Sequence, residues 1–172
     1  MAAQAALPTP EIYEPAGADV LKVHSTAQFK VGARARGADG QQYIYCKSSG
    51  SHALGALVAI DEDSVSRSAT TTNATGANRP GWPQVAFATQ QYGWVAIAGS
   101  NLYGKQKDGT AANAQLYTST SVGIMSSEGS AGNPLTVLGA KAVSLSSGAG
   151  AAYEIMVLDG AKFVEKGIKI TA

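Results

Sequence analysis

Gln91-Tyr92-Gly93-Trp94-Val95-Ala96-Ile97-Ala98-Gly99 carries one of the clearest strand patterns in the chain. Side chains alternate along an extended chain. Tyr92, Trp94 and Ala96 therefore fall on one side, and Val95 and Ile97 on the other. Both sides are apolar, so this strand is expected at the centre of the protein, covered on each face.

Outward from it the same period recurs. Residues 82–87 read as a second strand, with Val85 and Phe87 alternating with Ala86. In residues 41–47, Tyr43 and Tyr45 share one face while Gln42, Ile44 and Cys46 share the other. Gly37-Ala38-Asp39-Gly40 joins that strand to residues 27–35, and Asp-Gly is a strong hairpin signal. Residues 54–60 form an apolar run that ends on Asp61-Glu62-Asp63. Leu102-Tyr103, a turn at Lys107-Asp108-Gly109, Leu116-Tyr117 and residues 122–125 continue the series. Residues 135–145 read as one or two strands bent at Gly139. Residues 153–158 are a further strand, Asp159-Gly160 a hairpin signal, and 162–172 a last strand around Ile168 and Ile170. Short strands with glycine-marked turns argue for an all-β domain: a small β-barrel, or a β-clip-like or sandwich domain.

Two segments break the pattern. Residues 1–20 hold Pro8, Pro10 and Pro15, and between the prolines only Ile12 and Tyr13 are bulky. Each proline removes a backbone donor and keeps its predecessor extended. This reads as an N-terminal arm, with residues 21–172 as a single β-rich domain. Residues 64–80 are rich in Ser, Thr and Asn and read as a long polar surface loop.

Composition narrows the function classes. The 172 residues include 20 glycines, and each glycine in a helix costs about 1 kcal/mol relative to alanine. Charged residues are 15% and the formal net charge is +1, which offers no electrostatic pull on nucleic acid or an anionic membrane. No stretch approaches the roughly 18 apolar residues of a membrane helix. The first ten residues show neither the basic nor the apolar region of a secretory signal, so synthesis in the cytoplasm is expected. Cys46 is the single cysteine, and its apolar surroundings read as those of a small buried hydrophobe.

Catalytic and metal-binding patterns are weak. His24 and His52 stand in no ligand-spaced motif and read as surface histidines, so no metal site is expected. A serine, His52 and Asp61 could be drawn as a triad, but with so many serines the combination carries little information. Asp61-Glu62-Asp63 lacks calcium-loop spacing and reads as a solvated strand end. Gly99-Ser-Asn-Leu-Tyr-Gly104-Lys105-Gln106 matches phosphate-loop spacing up to Gln106, which stands where a magnesium-holding hydroxyl is needed. The helix that should follow is missing too, so no nucleotide cofactor is expected. Trp82, Tyr92, Trp94, Tyr103 and Tyr117 could stack sugars or bases, but read better as core.

Phe29-Lys-Val-Gly-Ala-Arg34, followed by Asp39-Gly40-Gln-Gln-Tyr43-Ile-Tyr45, resembles the opening of the capsid decoration (cement) proteins of tailed bacteriophages. The segment from Gln91-Tyr92-Gly93-Trp94-Val95 to Gly99, then Asp108-Gly109-Thr110 and Leu116-Tyr117-Thr118, is similar to a second stretch of that family. The likeness spans about residues 27–160, and its motifs are turn-and-strand patterns rather than chemical groups. It implies a non-enzymatic virion protein without cofactor that binds the outer surface of an expanded capsid and stabilises it. The implied partner is the major capsid protein, and the implied oligomer a trimer. The arm, through Pro10, Ile12, Tyr13 and Pro15, is the candidate capsid-binding element, by strand addition to a capsid edge. The alternatives are a carbohydrate- or receptor-binding virion module, a tail-assembly subunit and a small β-fold hydrolase.

Overall fold

The computed structural model describes residues 18–37, 40–75, 78–127, 134–147 and 152–165. The described residues form eleven strands and no helix. They are β1 (Val23–His24), β2 (Arg34–Arg36), β3 (Gln42–Ser48), β4 (Val58–Ile60), β5 (Val65–Ser68), β6 (Arg79–Pro83) and β7 (Tyr92–Lys105). Then come β8 (Gln115–Thr118), β9 (Met125–Ser126), β10 (Leu135–Ala142) and β11 (Ala152–Glu165). The expected all-β barrel is present.

Strands β3, β5, β4, β6 and β7 close on one another into a five-stranded barrel, with β3 pairing back to β7. The β3–β5 pair is parallel and the others are antiparallel. The sheet then leaves the barrel along β7 and runs through β11, β10 and β8 to β9.

Residues 91–99 sit where two-sided apolarity requires. Val95 and Ile97 join Ile44, Cys46, Val58, Ile60 and Phe87 in the smaller core. Trp94 and Ala96 face the larger core, with Tyr43, Tyr45, Trp82, Leu102, Ile155 and Phe163. The registers Tyr43↔Ala96 and Tyr45↔Trp94 put those side chains together. Tyr45 and Trp94 meet edge to face at 5.0 Å, and Phe29 joins both at 5.3 Å.

β7 is longer than the sequence suggests. It passes Gly99 without ending, and its second half pairs with β11 through Leu102↔Ile155 and Tyr103↔Glu154. Gly99 is the crossing point. Its φ is +122°, and a Cβ there would stand 2.6 Å from Gln41 Cα. Only glycine permits both that conformation and that approach.

Several expectations need correcting. The polar segment 64–80 is not one loop: Val65–Ser68 is a barrel stave, Arg79–Pro83 is another, and Ala69 and Ala74 between them are buried. Their small side chains give no hydrophobic pattern, but the barrel wall needs their backbone. The domain also begins earlier than residue 21, because Ala18 and Val20 lie in the larger core. Asp159-Gly160 makes no hairpin. β11 runs through it, and the pairing with β10 jumps from Leu138↔Lys162 to Ala140↔Val157. The extra residues form a bulge, with positive φ at Gly139 and Gly160. Of residues 122–125 only Met125 is in a strand, and Val122 is exposed. Ile168 and Ile170 lie outside the described residues.

Candidate interaction surfaces

Pro10, Ile12, Tyr13 and Pro15 lie outside the described residues, so the arm contributes sequence but no geometry. The histidines, the cysteine, the acidic cluster, the phosphate-loop look-alike and the stacking aromatics all lie within the described residues.

His52 is buried, not a surface histidine. Its backbone pairs with Phe87 in an isolated bridge. Its Nδ1 lies 2.9 Å from Ser68 Oγ, and its Nε2 lies 3.1 Å from Ser66 Oγ and 3.2 Å from the Ser66 carbonyl. Ser66 and Ser68 pair with Ile60 and Val58, which places them on the side of β5 that those apolar side chains share. Burial pushes the imidazole pKa down, partly offset by hydrogen bonds at Ser66 and Ser51. Asp61 is engaged elsewhere. One carboxylate oxygen accepts the amides of Asp63 and Val65, and the other pairs with Arg67 at 3.2 Å. Two serines thus stand beside His52, Ser66 fully buried and Ser68 half-buried, but with Asp61 held by Arg67 and backbone amides the three do not assemble as a triad.

His24 is partly exposed, and its Nδ1 lies 2.9 Å from the Tyr45 hydroxyl. Cys46 is fully buried, and burial, with a smaller contribution from Asp61, raises its thiol pKa far above the range in which a thiolate forms. No group of three His, Cys, Asp or Glu that could hold a metal occurs among the described residues.

The phosphate-loop look-alike is part of β7. Gly99 and Leu102–Lys105 pair with β11 on either side of a bulge at Ser100 and Asn101, where Asn101 has φ +54°, and Gln106 is fully buried. Backbone in that form cannot wrap a phosphate. The stacking platform loses its two largest members, because Trp82 and Trp94 are fully buried, with the Trp82 indole nitrogen 3.4 Å from Met125 Sδ, while Tyr92, Tyr103 and Tyr117 are half-buried.

Two surface features went unread in the sequence. The first is the outer side of the β10–β11 ribbon. Ala142 and Ile155 pair and face the core, while Lys141 and Met156 pair and face outward. Val143, Leu145, Met156 and Leu158 are 40%, 62%, 40% and 58% exposed. Alternation in 153–158 predicted the buried Ile155 and Val157, but not that Met156 and Leu158 on the opposite face would be exposed among the described residues.

The second is a polar cleft of about 620 Å³ beside the barrel. Its lining combines apolar Val31, Ile44 and Ile60, the cations Arg34 and Arg79, and the carboxylates Asp61, Glu62 and Asp63. The cleft gathers residues from β2, β3, β4 and β6, so no local motif announces it.

No protein-family model matches this chain, and no curated protein matches it.

Proposed function

We propose that this chain is a virion structural protein that binds the outer surface of an expanded phage capsid and stabilises it. The observation that carries this reading is the exposure of Met156 and Leu158 on β11 and of Val143 and Leu145 just after β10. Exposed Val, Leu and Met side chains close together on one element mark candidate protein-binding surfaces. The resemblance supplies the partner class. Its two motif segments also pair directly with each other as β3 and β7. The buried tryptophans count against a sugar-stacking alternative.

In this reading the protein acts without chemistry and without a cofactor. It binds across capsomer boundaries on a mature lattice, and binding to that state alone stabilises it by mass action. A trimer would multiply modest contacts by avidity. The major capsid protein is the proposed partner, with the arm around Ile12 and Tyr13 as a second attachment point. The protein would be made in the host cytoplasm and end on the capsid exterior.

The test is co-sedimentation of purified protein with expanded, undecorated capsids. Saturable binding at a fixed ratio to capsid subunits, with a raised capsid melting temperature, is the expected result. Absence of binding to verified bare, expanded capsids would remove the decoration role.

A further inference from the structure

His52 fastens two connecting segments to each other beside the smaller core. Its backbone exchanges both hydrogen bonds with Phe87, each 2.9 Å long, which ties residues 49–55 to residues 84–90. Phe87 carries that fastening inward. Its ring lies on Gly93, where a Cβ would stand 2.6 Å from Phe87 Cζ, and Gly93 pairs with Cys46. Phe87 and the fully buried Cys46 belong to the same core. The imidazole ring is fixed by two serines of β5. The Ser66 carbonyl only accepts, so Nε2 carries the proton and Nδ1 accepts from the Ser68 hydroxyl. A second proton on Nδ1 turns this acceptor into a donor that faces Ser68 Oγ. The Ser68 hydroxyl must then turn its own proton to the Ser51 carbonyl, 3.5 Å away.

Among the described residues no free carboxylate is placed to answer that charge. Residues 49–55 and 84–90 contain no charged residue. On β4, Val58 and Ile60 are apolar, and on β7 so are Val95 and Ile97. On β3, burial keeps Cys46 a neutral thiol, and the Lys47 ammonium lies over the Tyr92 ring. On β5, Arg67 stands between the two serines in sequence, but its side chain is 55% exposed and paired with Asp61. Asp61 is held further by two backbone amides. A buried imidazolium without a counter-ion is strongly disfavoured, and burial accordingly lowers the His52 pKa. Water is the one partner that relieves it, and water enters only if the fastening lets go.

We propose that His52 is an acid-released latch: protonation breaks the His52–Phe87 bridge, lifts Phe87 from Gly93 and admits solvent to Cys46 while the rest of the barrel stays folded. The closed form disfavours the second proton, and the open form binds it as a solvated histidine does. The latch therefore holds above about pH 6.5 and loosens as pH falls below that value. One proton limits the gain in opening to tenfold for each pH unit. The device does not depend on capsid binding and is tested without capsids.

The experiment is labelling of Cys46 in the full-length chain with 4,4′-dithiodipyridine at pH 7.5 and pH 5.5. Dividing each rate by that of the urea-unfolded chain at the same pH removes the thiol's own chemistry and leaves the opening constant. This constant is expected to rise at least threefold from pH 7.5 to pH 5.5. It should also exceed the global unfolding constant at least tenfold and stay nearly constant in dilute urea, because a local opening exposes little surface. His52→Gln, which carries no titrating ring, should show no rise. Ser68→Asp, which sets a carboxylate beside Nδ1, should suppress the rise as well and leaves His52 in place. Three results each overturn the proposal: a Cys46 opening constant that does not change with pH, an equal rise in His52→Gln, or labelling that matches the global unfolding constant at both pH values.

Discussion

Two residues carry more structural consequence than their chemistry suggests. His52 is held neutral among Ser66, Ser68 and Phe87. Its pKa in the folded protein is depressed below 6.5, mainly by burial. The unfolded chain therefore binds the proton more tightly. Its contribution to stability is complete above the unfolded pKa and is lost as pH falls from about 6.5 toward the folded value. The thermal midpoint should fall between pH 7 and pH 5, and His52→Asn should flatten that slope whatever it does to the midpoint at pH 7. Equal slopes in the two proteins would show that His52 does not couple folding to pH. Gly99 makes a different demand. Alanine there must adopt φ +122° and place its Cβ 2.6 Å from Gln41 Cα. Gly99→Ala should cost about 3 kcal/mol or more, since unfavourable backbone and steric overlap add. Urea unfolding checks this, and a loss under about 1 kcal/mol would mean that the barrel crossing relaxes easily.

At the scale of elements, the β10–β11 ribbon separates stability from binding. Its inner residues Ile155 and Val157 belong to the larger core, and its outer residues Met156 and Leu158 do not. Met156→Glu with Leu158→Glu should change stability by about 0.5 kcal/mol or less, as exposed substitutions do. The same pair should lower occupancy on expanded capsids at least tenfold. Full occupancy would place the contact elsewhere on the protein. The bulge in β11 shows why Asp159-Gly160 misled. Asp-Gly reports a locally favourable positive φ, and a hairpin turn and a strand bulge both use one. Only the partner strand distinguishes them.

At the scale of the molecule, the boundary between arm and domain falls inside the first twenty residues. Val20 is fully buried, so the core begins before the residue at which the pattern first looks regular. Deleting residues 1–17 should leave the thermal midpoint unchanged while weakening capsid binding. Deleting residues 1–20 should also cost about 2 kcal/mol, the worth of burying one valine. If both deletions have the same midpoint, Val20 adds nothing measurable to the fold.

The all-β fold class is legible in the chain alone. Two-sided apolarity in residues 91–99, alternation around Tyr43 and Tyr45, and glycine at the turns allow β structure and leave no helical stripe. Those signals are local, because alternation is a property of one strand. Tertiary structure decided what pairing over long distances decides. It closed β3 onto β7 and made the polar residues 65–68 into a barrel stave. It buried His52 with two serines, left Met156 and Leu158 exposed among the described residues, and assembled a cleft from Gly32, Arg34, Ser64 and Arg79. None of these follows from neighbours in the chain, because each depends on which strands share an edge.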